Sequence, residues 1–140
     1  MIQKAEWIIE AYQKVKPAGC GVIAMDGRAA AGKTTLAEEL AVTLGGAVVH
    51  MDDFFLPGEL RTPERLAAPG GNVHAERFVE EVLPYLRRGE AFHYRRFDCH
   101  RMDYNGWVEI PPVPVIIVEG AYSQHPRFEG YADLTVFCDI

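Results

Sequence analysis

The sequence predicts an α/β fold in which a parallel β-sheet is flanked by helices on both faces. Short apolar runs recur along the 140 residues, and segments with helical spacing or loop composition separate them: CGVIAM, AVVH, VIIVEG and LTVFCDI. Strands that are apolar along their whole length are buried on both faces, which is typical of parallel sheets covered by helices. The alternation of such runs with helical segments therefore predicts the layered α/β class.

The first half of the chain predicts two helices and two strands. An amphipathic helix is expected over residues 2–16, followed by a strand over about 20–25, a helix over about 33–44 and a strand over 47–50. Four apolar side chains of the first helix are expected to pack inward: Ile2, Trp7, Ile8 and Tyr12. One face of the second helix carries leucines at every fourth position: Leu36, Leu40 and Leu44.

The second half begins with a loop and returns to strands. Residues 57–71 are rich in proline and glycine, with one helical turn expected at PERLA. Asn72 is expected to cap a helix that Pro84 kinks or ends early. Four residues form the apolar side of this helix: Phe78, Val79, Val82 and Leu86. Residues 90–109 predict a hairpin, and two buried strands follow.

The composition is that of an ordinary globular domain, with 49% hydrophobic and 24% charged residues. A chain of this length predicts a single domain, residues 1–140. The net charge of −6 argues against nucleic acid and anionic membranes as partners. No apolar run approaches the ~20 residues of a membrane span, and no signal-peptide pattern occurs. We therefore expect a cytoplasmic protein with reduced thiols at Cys20, Cys99 and Cys138.

The segment MDGRAAAGKTT contains a motif with a specific chemistry. It fits G-x-x-x-x-G-K-[ST], and it lies between a predicted strand and a predicted helix, the context in which this motif binds phosphate. Backbone N–H groups and the helix N-terminus would surround a phosphate chain, while Lys33 reaches its β- and γ-phosphates and Thr34 binds Mg²⁺. ATP and Mg²⁺ are thus the expected cofactors. The phosphate loop, residues 26–35, has these candidate contacts: Gly27, Arg28, Ala29, Ala30, Ala31, Gly32, Lys33, Thr34 and Thr35.

Carboxylates follow two other predicted strands. Asp52 and Asp53 come directly after the second strand, and Glu119 ends the third. Ligands of open α/β sheets bind beyond the carboxyl ends of the strands, so these side chains are expected near the phosphate loop. Phosphoryl transfer needs a carboxylate that orients or deprotonates the acceptor hydroxyl and an acidic group near Mg²⁺. The set predicts a phosphoryl-transfer enzyme.

Three motifs in this order, DGRAAAGKTT, MDDFFLP and IIVEGAYS, resemble the uridine kinase-like branch of the phosphoribulokinase and uridine kinase family of P-loop kinases. The resemblance extends from about residue 20 to the end of the chain, and DDFF also resembles nicotinamide riboside kinases. It implies a P-loop NTPase fold and transfer of the ATP γ-phosphate to a hydroxyl of a small nucleoside-like molecule. Asp52 matches the family's catalytic base, with Lys33 the second candidate catalytic residue. Thr34 and Glu119 match the Mg²⁺ environment, to which Asp52 is added as a candidate.

The resemblance also implies a substrate region over about residues 52–110. The stretch GGNVHAERF falls where family members carry an acidic ribose-binding segment, although its Asn72 and His74 are not acidic. The stretch YRRFDC resembles the segment that holds the nucleobase. Nicotinamide riboside and pantothenate stay open as other acceptors. The candidate substrate residues are Asp53, Phe54, Asn72, His74, Phe97 and Asp98.

The family continues past the fourth strand into a helix and an arginine-bearing lid, whereas this sequence ends at Ile140. We therefore expect a domain truncated at its C-terminus, without the lid. Two interpretations stay open, an active kinase and a nucleotide-binding module with little catalysis. The last strand is expected inside the sheet beside the phosphate-loop strand. Apolar surface left uncovered there predicts a homo-oligomer or a marginally stable chain.

Overall fold

Helices and strands alternate in the first part of the chain, and strands predominate in the second half. The computed structural model describes residues 2–15, 19–27, 32–128 and 130–138, without the side chains of residues 2–4, 33 and 126. The helices are α1 (Ile2–Gln13), α2 (Lys33–Leu44), α3 (Pro63–Ala67) and α4 (Ala75–Glu81). The strands are β1 (Gly21–Gly27), β2 (Ala47–His50), β3 (Phe92–Asp98), β4 (Asp103–Ile110), β5 (Val115–Glu119) and β6 (Leu134–Cys138). Within the described ranges no helix is long and apolar enough to cross a membrane.

The main sheet is parallel, with the strand order β2-β5-β1-β6. β1 lies between β5 and β6, so that Gly21 pairs with Val115 and Ile23 pairs with Leu134. Every residue of β5 is buried, and β1 is buried except at the half-buried Asp26. These two strands are covered on both faces, as their apolar sequences require. The predicted α/β architecture is confirmed.

Side chains that alternate along the central strands build two separate cores. Ile23 and Met25 of β1 face α1 and α2, where they pack with Leu36 and Leu40 of α2. Val22 of β1 faces the other way, into an aromatic core. A fully buried leucine such as Leu40 contributes about 2 kcal/mol relative to an exposed one. Alternate residues of β1 and β5 therefore face opposite sides of the sheet, one side toward α1 and α2 and the other toward the aromatic core.

Helix α1 ends at Gln13, earlier than the predicted residue 16. The expectation that Trp7 packs inward is wrong, because its side chain is 78% exposed. The inward stripe consists of Ala5, Ile8, Ile9 and Tyr12. These positions follow the i, i+3, i+4, i+7 spacing of one helix face, and position 7 falls outside that spacing.

The last strand, β6, pairs with β1 as predicted, and Gly27 is the register partner of Cys138. It does not lie inside the sheet, because it is the outermost of the four described strands. Its side chains alternate between exposed positions and positions that are at least partly buried, and Phe137 is 67% exposed. The four-residue β2 forms the opposite edge.

The loop of residues 57–71 contains the predicted helical turn as α3. Thr62 caps it by accepting a hydrogen bond from the Arg65 N–H at 3.1 Å, and proline occupies the first helical position. The next helix, α4, has His74 as its N-cap, so the prediction of Asn72 as the cap is wrong by two residues. Val79 lies outside its apolar face, with 37% exposure. The helix ends at Glu81, and a 3-10 turn containing Pro84 follows, as the early break predicted.

The predicted hairpin is present as β3 and β4, which pair antiparallel in a second, two-stranded sheet. The register shifts between Arg95 and Phe97, which indicates a bulge. Glu81 ties α4 to this hairpin, because its carboxylate accepts from the Arg95 backbone N–H at 2.9 Å and from Arg95 Nη2 at 2.7 Å. The hairpin and α4 together cover the face of the main sheet that α1 and α2 leave open.

Candidate functional site

Three polar side chains meet on the α2 face of the sheet, at the carboxyl ends of β5 and β2. Glu119 ends β5 and, by alternation, shares the face of Val115 and Ile117, which pack in the α2 core. Its Oε1 accepts a hydrogen bond from Thr34 Oγ1 at 3.2 Å and from His50 Nδ1 at 2.5 Å. The cluster therefore joins the first turn of α2 to two neighbouring strands.

His50 is a site residue that the sequence analysis misses. It is the last residue of β2 and the register partner of Glu119, so parallel pairing alone brings the two side chains together. The hydrogen bond to Glu119 raises the pKa of His50, although partial burial acts in the opposite direction. One signal in the sequence could have indicated His50. It is the last residue of an apolar run and directly precedes the acidic turn, and histidine often takes part in functional sites.

Two glycines of the phosphate motif are required by the backbone. Gly32 precedes α2 in the left-handed conformation, with φ 74°, where a side chain would be strained. Gly27 ends β1 with φ 137°, and a Cβ placed there would overlap the carbonyl oxygen of Cys138. Gly32 therefore permits the turn into α2, and Gly27 permits the close approach of β6 to β1.

The structure describes only part of the predicted phosphate loop. Lys33 is the first residue of α2, but its side chain lies outside the described part, as do the predicted contacts at four further residues: Arg28, Ala29, Ala30 and Ala31. Thr34 and Thr35 are exposed in the first turn of α2. The first turn of α2 thus exposes two threonines at this edge of the sheet, and a helix N-terminus is a favourable place for an anion.

The paired aspartates after β2 have opposite environments. Both lie in a 3-10 turn, residues 51–54, in which Asp52 is exposed and Asp53 is buried. Asp53 Oδ2 accepts a hydrogen bond from the Tyr94 hydroxyl at 2.8 Å. Burial raises the pKa of Asp53, and the bond from Tyr94 only partly offsets this. Asp52 is thus the aspartate that an acceptor molecule can reach, and Asp53 anchors the turn to the hairpin.

Buried groups beneath this turn hold it in place. The guanidinium of Arg77 is 2% exposed, donates to the backbone carbonyl of Asp53, and lies over the Phe54 ring with 4.1 Å to its centroid. Phe54 is fully buried and stacks on Tyr94 with ring centroids 5.1 Å apart. The prediction of a substrate contact at Phe54 is therefore wrong, because its ring belongs to the core. Arg77 and Tyr94 are further residues that the sequence analysis misses, since arginine ordinarily indicates a surface position and tyrosine indicates neither the core nor the surface.

Asn72 and His74 lie beside the acidic turn. The His74 N–H donates to the Phe54 carbonyl at 2.7 Å, and the Asn72 carbonyl accepts from the Leu56 N–H at 2.9 Å. Asn72 is exposed, whereas His74 is half-buried, and its Nδ1 has no hydrogen-bond partner among the described residues. Burial lowers the pKa of His74. The segment that resembles a ribose-binding stretch is thus brought next to the turn that carries Asp52.

Phe97 and Asp98 lie at the far end of β3. The Phe97 ring is 3% exposed, lies parallel to Phe55 with centroids 6.5 Å apart, and meets Tyr104 edge-on. Asp98 Oδ1 accepts from the backbone N–H of His100 at 2.9 Å and so shapes the turn between β3 and β4. This hydrogen bond lowers the pKa of Asp98. The contacts of these two residues shape the hairpin. Their predicted role in binding a substrate stays a prediction.

The Thr34–Glu119 pair fits a magnesium ion bound together with a nucleotide. Mg²⁺ prefers oxygen ligands and in such sites takes one or two protein groups, completing its shell with phosphates and water. A hydroxyl and a carboxylate only 3.2 Å apart supply such oxygens. Among the described residues no three His, Cys, Asp or Glu side chains form a metal-binding group, so Asp52 does not join His50 and Glu119 in one. The donor set suits an ion held mainly by its nucleotide.

Comparison with solved structures identifies the fold. A possible uridine kinase from Bacillus stearothermophilus superposes with a TM-score of 0.82 and 21% sequence identity. The match covers 99% of this chain and 80% of that kinase. A candidate fructose transport system kinase from Silicibacter sp. TM1040 superposes with a TM-score of 0.76 and 24% sequence identity. The match covers 97% of this chain and 74% of that kinase. The protein has a P-loop kinase fold. A D-glycerate 3-kinase from Cryptococcus neoformans var. grubii superposes with a TM-score of 0.55 and 15% sequence identity. The match covers 84% of this chain and 50% of that kinase.

These similarities extend to the fold alone, because each identity is below 25%. No protein-family model matches the sequence. The resemblance to the uridine kinase-like branch therefore remains a prediction about substrate and family. The P-loop kinase fold itself puts the phosphate motif, the acidic turn and Glu119 at one edge of the sheet.

Proposed function

We propose that this protein is an ATP- and Mg²⁺-dependent kinase that transfers the γ-phosphate to a hydroxyl group of a small nucleoside-like molecule. One observation carries the proposal: Thr34, at the start of α2, donates to Glu119, and β2 beside β5 leads into a turn that exposes Asp52. A phosphate cradle, a metal-side carboxylate and a reachable acidic side chain are the parts that phosphoryl transfer uses. The structural neighbours are named as kinases, which agrees with this reaction class.

Each residue has a distinct role in the proposed reaction. Asp52 accepts the proton of the acceptor hydroxyl as that oxygen attacks the γ-phosphorus, and the bond from phosphorus to the β–γ bridging oxygen of ATP breaks. Lys33 and the N–H groups at the start of α2 bind the phosphates. The Thr34 hydroxyl and Glu119 would hold Mg²⁺ that is bound with the nucleotide, and this ion would supply positive charge to the phosphates. Asp53 takes no part in the transfer and holds the turn.

The substrate assignment rests on the resemblance of MDDFFLP and YRRFDC to nucleoside-kinase segments. Uridine and cytidine are the first acceptors to test. The names of two structural neighbours, a fructose transport system kinase and a D-glycerate 3-kinase, add fructose and D-glycerate as acceptors to test. We place the enzyme in the cytoplasm, where ATP and soluble metabolites meet. The acidic net charge of −6 favours small molecules over nucleic acid as its substrates.

The test measures ATP binding by calorimetry and ADP release in a coupled assay with MgCl₂ and a panel of acceptors. The panel contains uridine, cytidine, nicotinamide riboside, pantothenate, fructose and D-glycerate. We expect ATP binding and phosphorylation of at least one nucleoside, with ADP release lowered by a factor on the order of 10² to 10⁴ in Asp52→Asn, which controls for a contaminating kinase. ATP binding without transfer would favour the alternative of a nucleotide-binding module with little catalysis. Absence of ATP binding would contradict both.

A further inference from the structure

Tyr122 has an unusual backbone conformation three residues after Glu119. Its φ is 64°, and the other non-glycine residue with positive φ in the described part of the chain is Met102, in the turn between β3 and β4. A bulky side chain in this left-handed region costs free energy, and glycine or asparagine ordinarily takes such a position. Strained residues of this kind concentrate at functional sites, where their surroundings hold them in place.

A carboxylate from β1 holds this strained turn. Asp26 Oδ1 accepts from the Tyr122 N–H at 3.0 Å, and Asp26 Oδ2 accepts from the Gln124 N–H at 3.1 Å. The Gln124 side chain in turn donates to the Val136 carbonyl of β6 at 3.1 Å. The turn is therefore fastened to two strands of the sheet, and the residue before Gly27 of the phosphate motif sets the conformation of the loop after Glu119.

The Tyr122 ring lies edge-on to the His125 ring, with centroids 6.3 Å apart. It is 39% exposed and belongs to neither hydrophobic core. A Cβ placed on Gly70 would lie 3.1 Å from Tyr122 Cδ1, so the backbone of the loop before Asn72 passes directly against the ring. The ring thus lies against the loop that precedes Asn72, and it follows Glu119 by only three residues along the chain.

We propose that Tyr122 is a specificity-determining residue whose ring contacts the acceptor molecule. The assignment rests on the proposed kinase function. An aromatic face held rigidly beside the site stacks on a planar ring, such as a nucleobase or a nicotinamide, and gains less from an open-chain polyol. Asp26 supports this contact by holding the backbone of the turn, so that Tyr122 presents its ring without reorganisation when the acceptor binds.

The test compares Tyr122→Phe, Tyr122→Ala and Tyr122→Gly, with Trp7→Ala as a matched exposed aromatic on α1. The KM values for ATP and for the best nucleoside of the panel are measured together with Tm. Loss of one stacking contact should raise the nucleoside KM roughly tenfold in the Ala and Gly variants, with the ATP KM unchanged. Tyr122→Phe and Trp7→Ala should stay within about twofold of wild type. Tyr122→Gly should not lower Tm, because glycine removes the strain.

The outcomes separate this assignment from the proposed function. An unchanged nucleoside KM in the Ala and Gly variants of an active enzyme would overturn the role of Tyr122 alone. Parallel rises in both KM values together with a lower Tm would also overturn it, since they indicate a structural role. Absence of phosphate transfer by the wild type to every acceptor would overturn the proposed function and this assignment with it.

Discussion

His50 and Glu119 face each other across adjacent parallel strands, with 2.5 Å between Nδ1 of His50 and Oε1 of Glu119. Thr34 donates to the same oxygen at 3.2 Å, so both described donors use Oε1 and leave Oε2 without one. A carboxylate oriented by two donors is preorganised, since little side-chain freedom remains to be lost when a ligand binds. Three predictions concern this edge of the sheet, a fourth compares the two aspartates, and a fifth concerns acid stability.

Glu119→Gln should raise the Mg²⁺ concentration needed for half-maximal activity more than it raises the acceptor KM. Glutamine keeps the size and one acceptor oxygen but removes the charge that favours a divalent cation. We expect a rise on the order of tenfold, measured by titrating MgCl₂ at fixed ATP. An unchanged Mg²⁺ requirement would mean that Glu119 only ties the strand end to α2.

His50→Ala should also raise the Mg²⁺ requirement, because Glu119 loses the donor that orients it. His50→Asn should restore most of the wild-type value, since its amide N–H₂ can donate from nearly the same place as Nδ1. The effect of the Ala variant should be severalfold, and loss of such supporting contacts reaches about 10-fold to 100-fold at metal sites. Equal behaviour of the Ala and Asn variants would exclude an orienting role.

Lys33→Ala should abolish ATP binding and turnover while leaving the fold intact. The motif assigns its ammonium group to the β- and γ-phosphates, so a phosphate partner is lost while the core is unaffected. Lys14→Ala is the matched control, because Lys14 is an exposed lysine just beyond the end of α1 and outside the phosphate motif. Calorimetry measures binding, and circular dichroism measures the fold. ATP binding at wild-type strength in Lys33→Ala would refute the phosphate-loop assignment.

Asp52→Asn and Asp53→Asn should have opposite profiles. Asp52→Asn should leave ATP binding and Tm intact but lower kcat by a factor on the order of 10² to 10⁴, the usual contribution of general acid–base catalysis. Asp53→Asn should retain most of the activity, because its amide oxygen still accepts from Tyr94. Since burial raises the pKa of Asp53, its ionised form costs stability at neutral pH, and the neutral variant should have an equal or higher Tm. Equal losses of kcat would refute the assignment of the base.

Glu76→Gln should reduce stability in a pH-dependent way. Two hydrogen bonds from the Arg65 guanidinium, at 2.9 and 2.8 Å, lower the pKa of Glu76 from 4.5 to about 2. A lowered carboxyl pKa gives stability that is fully present above the unfolded value of 4.5 and is lost as the pH falls through the folded value. The Tm difference between wild type and Glu76→Gln should therefore shrink between about pH 4.5 and 2. A constant difference over this range would contradict the linkage.

The sequence predicts the parts of the fold that local patterns determine. Continuous apolar runs locate β1, β2, β5 and β6, and the turn residues locate the loop with α3. Trp7 is misjudged because an aromatic residue carries no information on which side of a helix the sheet will lie. The cap of α4 moves from Asn72 to His74 because the Phe54 carbonyl pairs with the His74 N–H, a contact between distant segments.

The site is predictable wherever a motif has its own geometry, and less so where partners come from other elements. Thr34 and Glu119 are brought together as expected, because both lie at carboxyl-edge positions of the sheet. His50, Arg77 and Tyr94 escape prediction because their roles depend on the register of β2 with β5 and on the docking of the hairpin. The difference between Asp52 and Asp53 likewise depends on which one finds the Tyr94 hydroxyl.

The position of β1 also determines how late in folding the site can form. Both partners of β1 come from the last part of the chain, and its pairing with β5 joins residues roughly 90 positions apart, a closure that slows folding. During synthesis both edges of β1 therefore stay unpaired until β5 and β6 have left the ribosome. Unpaired strand edges of this kind are prone to aggregation. Thr34, His50 and Glu119 meet only after this step. A ligand of the site consequently binds the completed sheet alone and stabilises the whole chain by mass action.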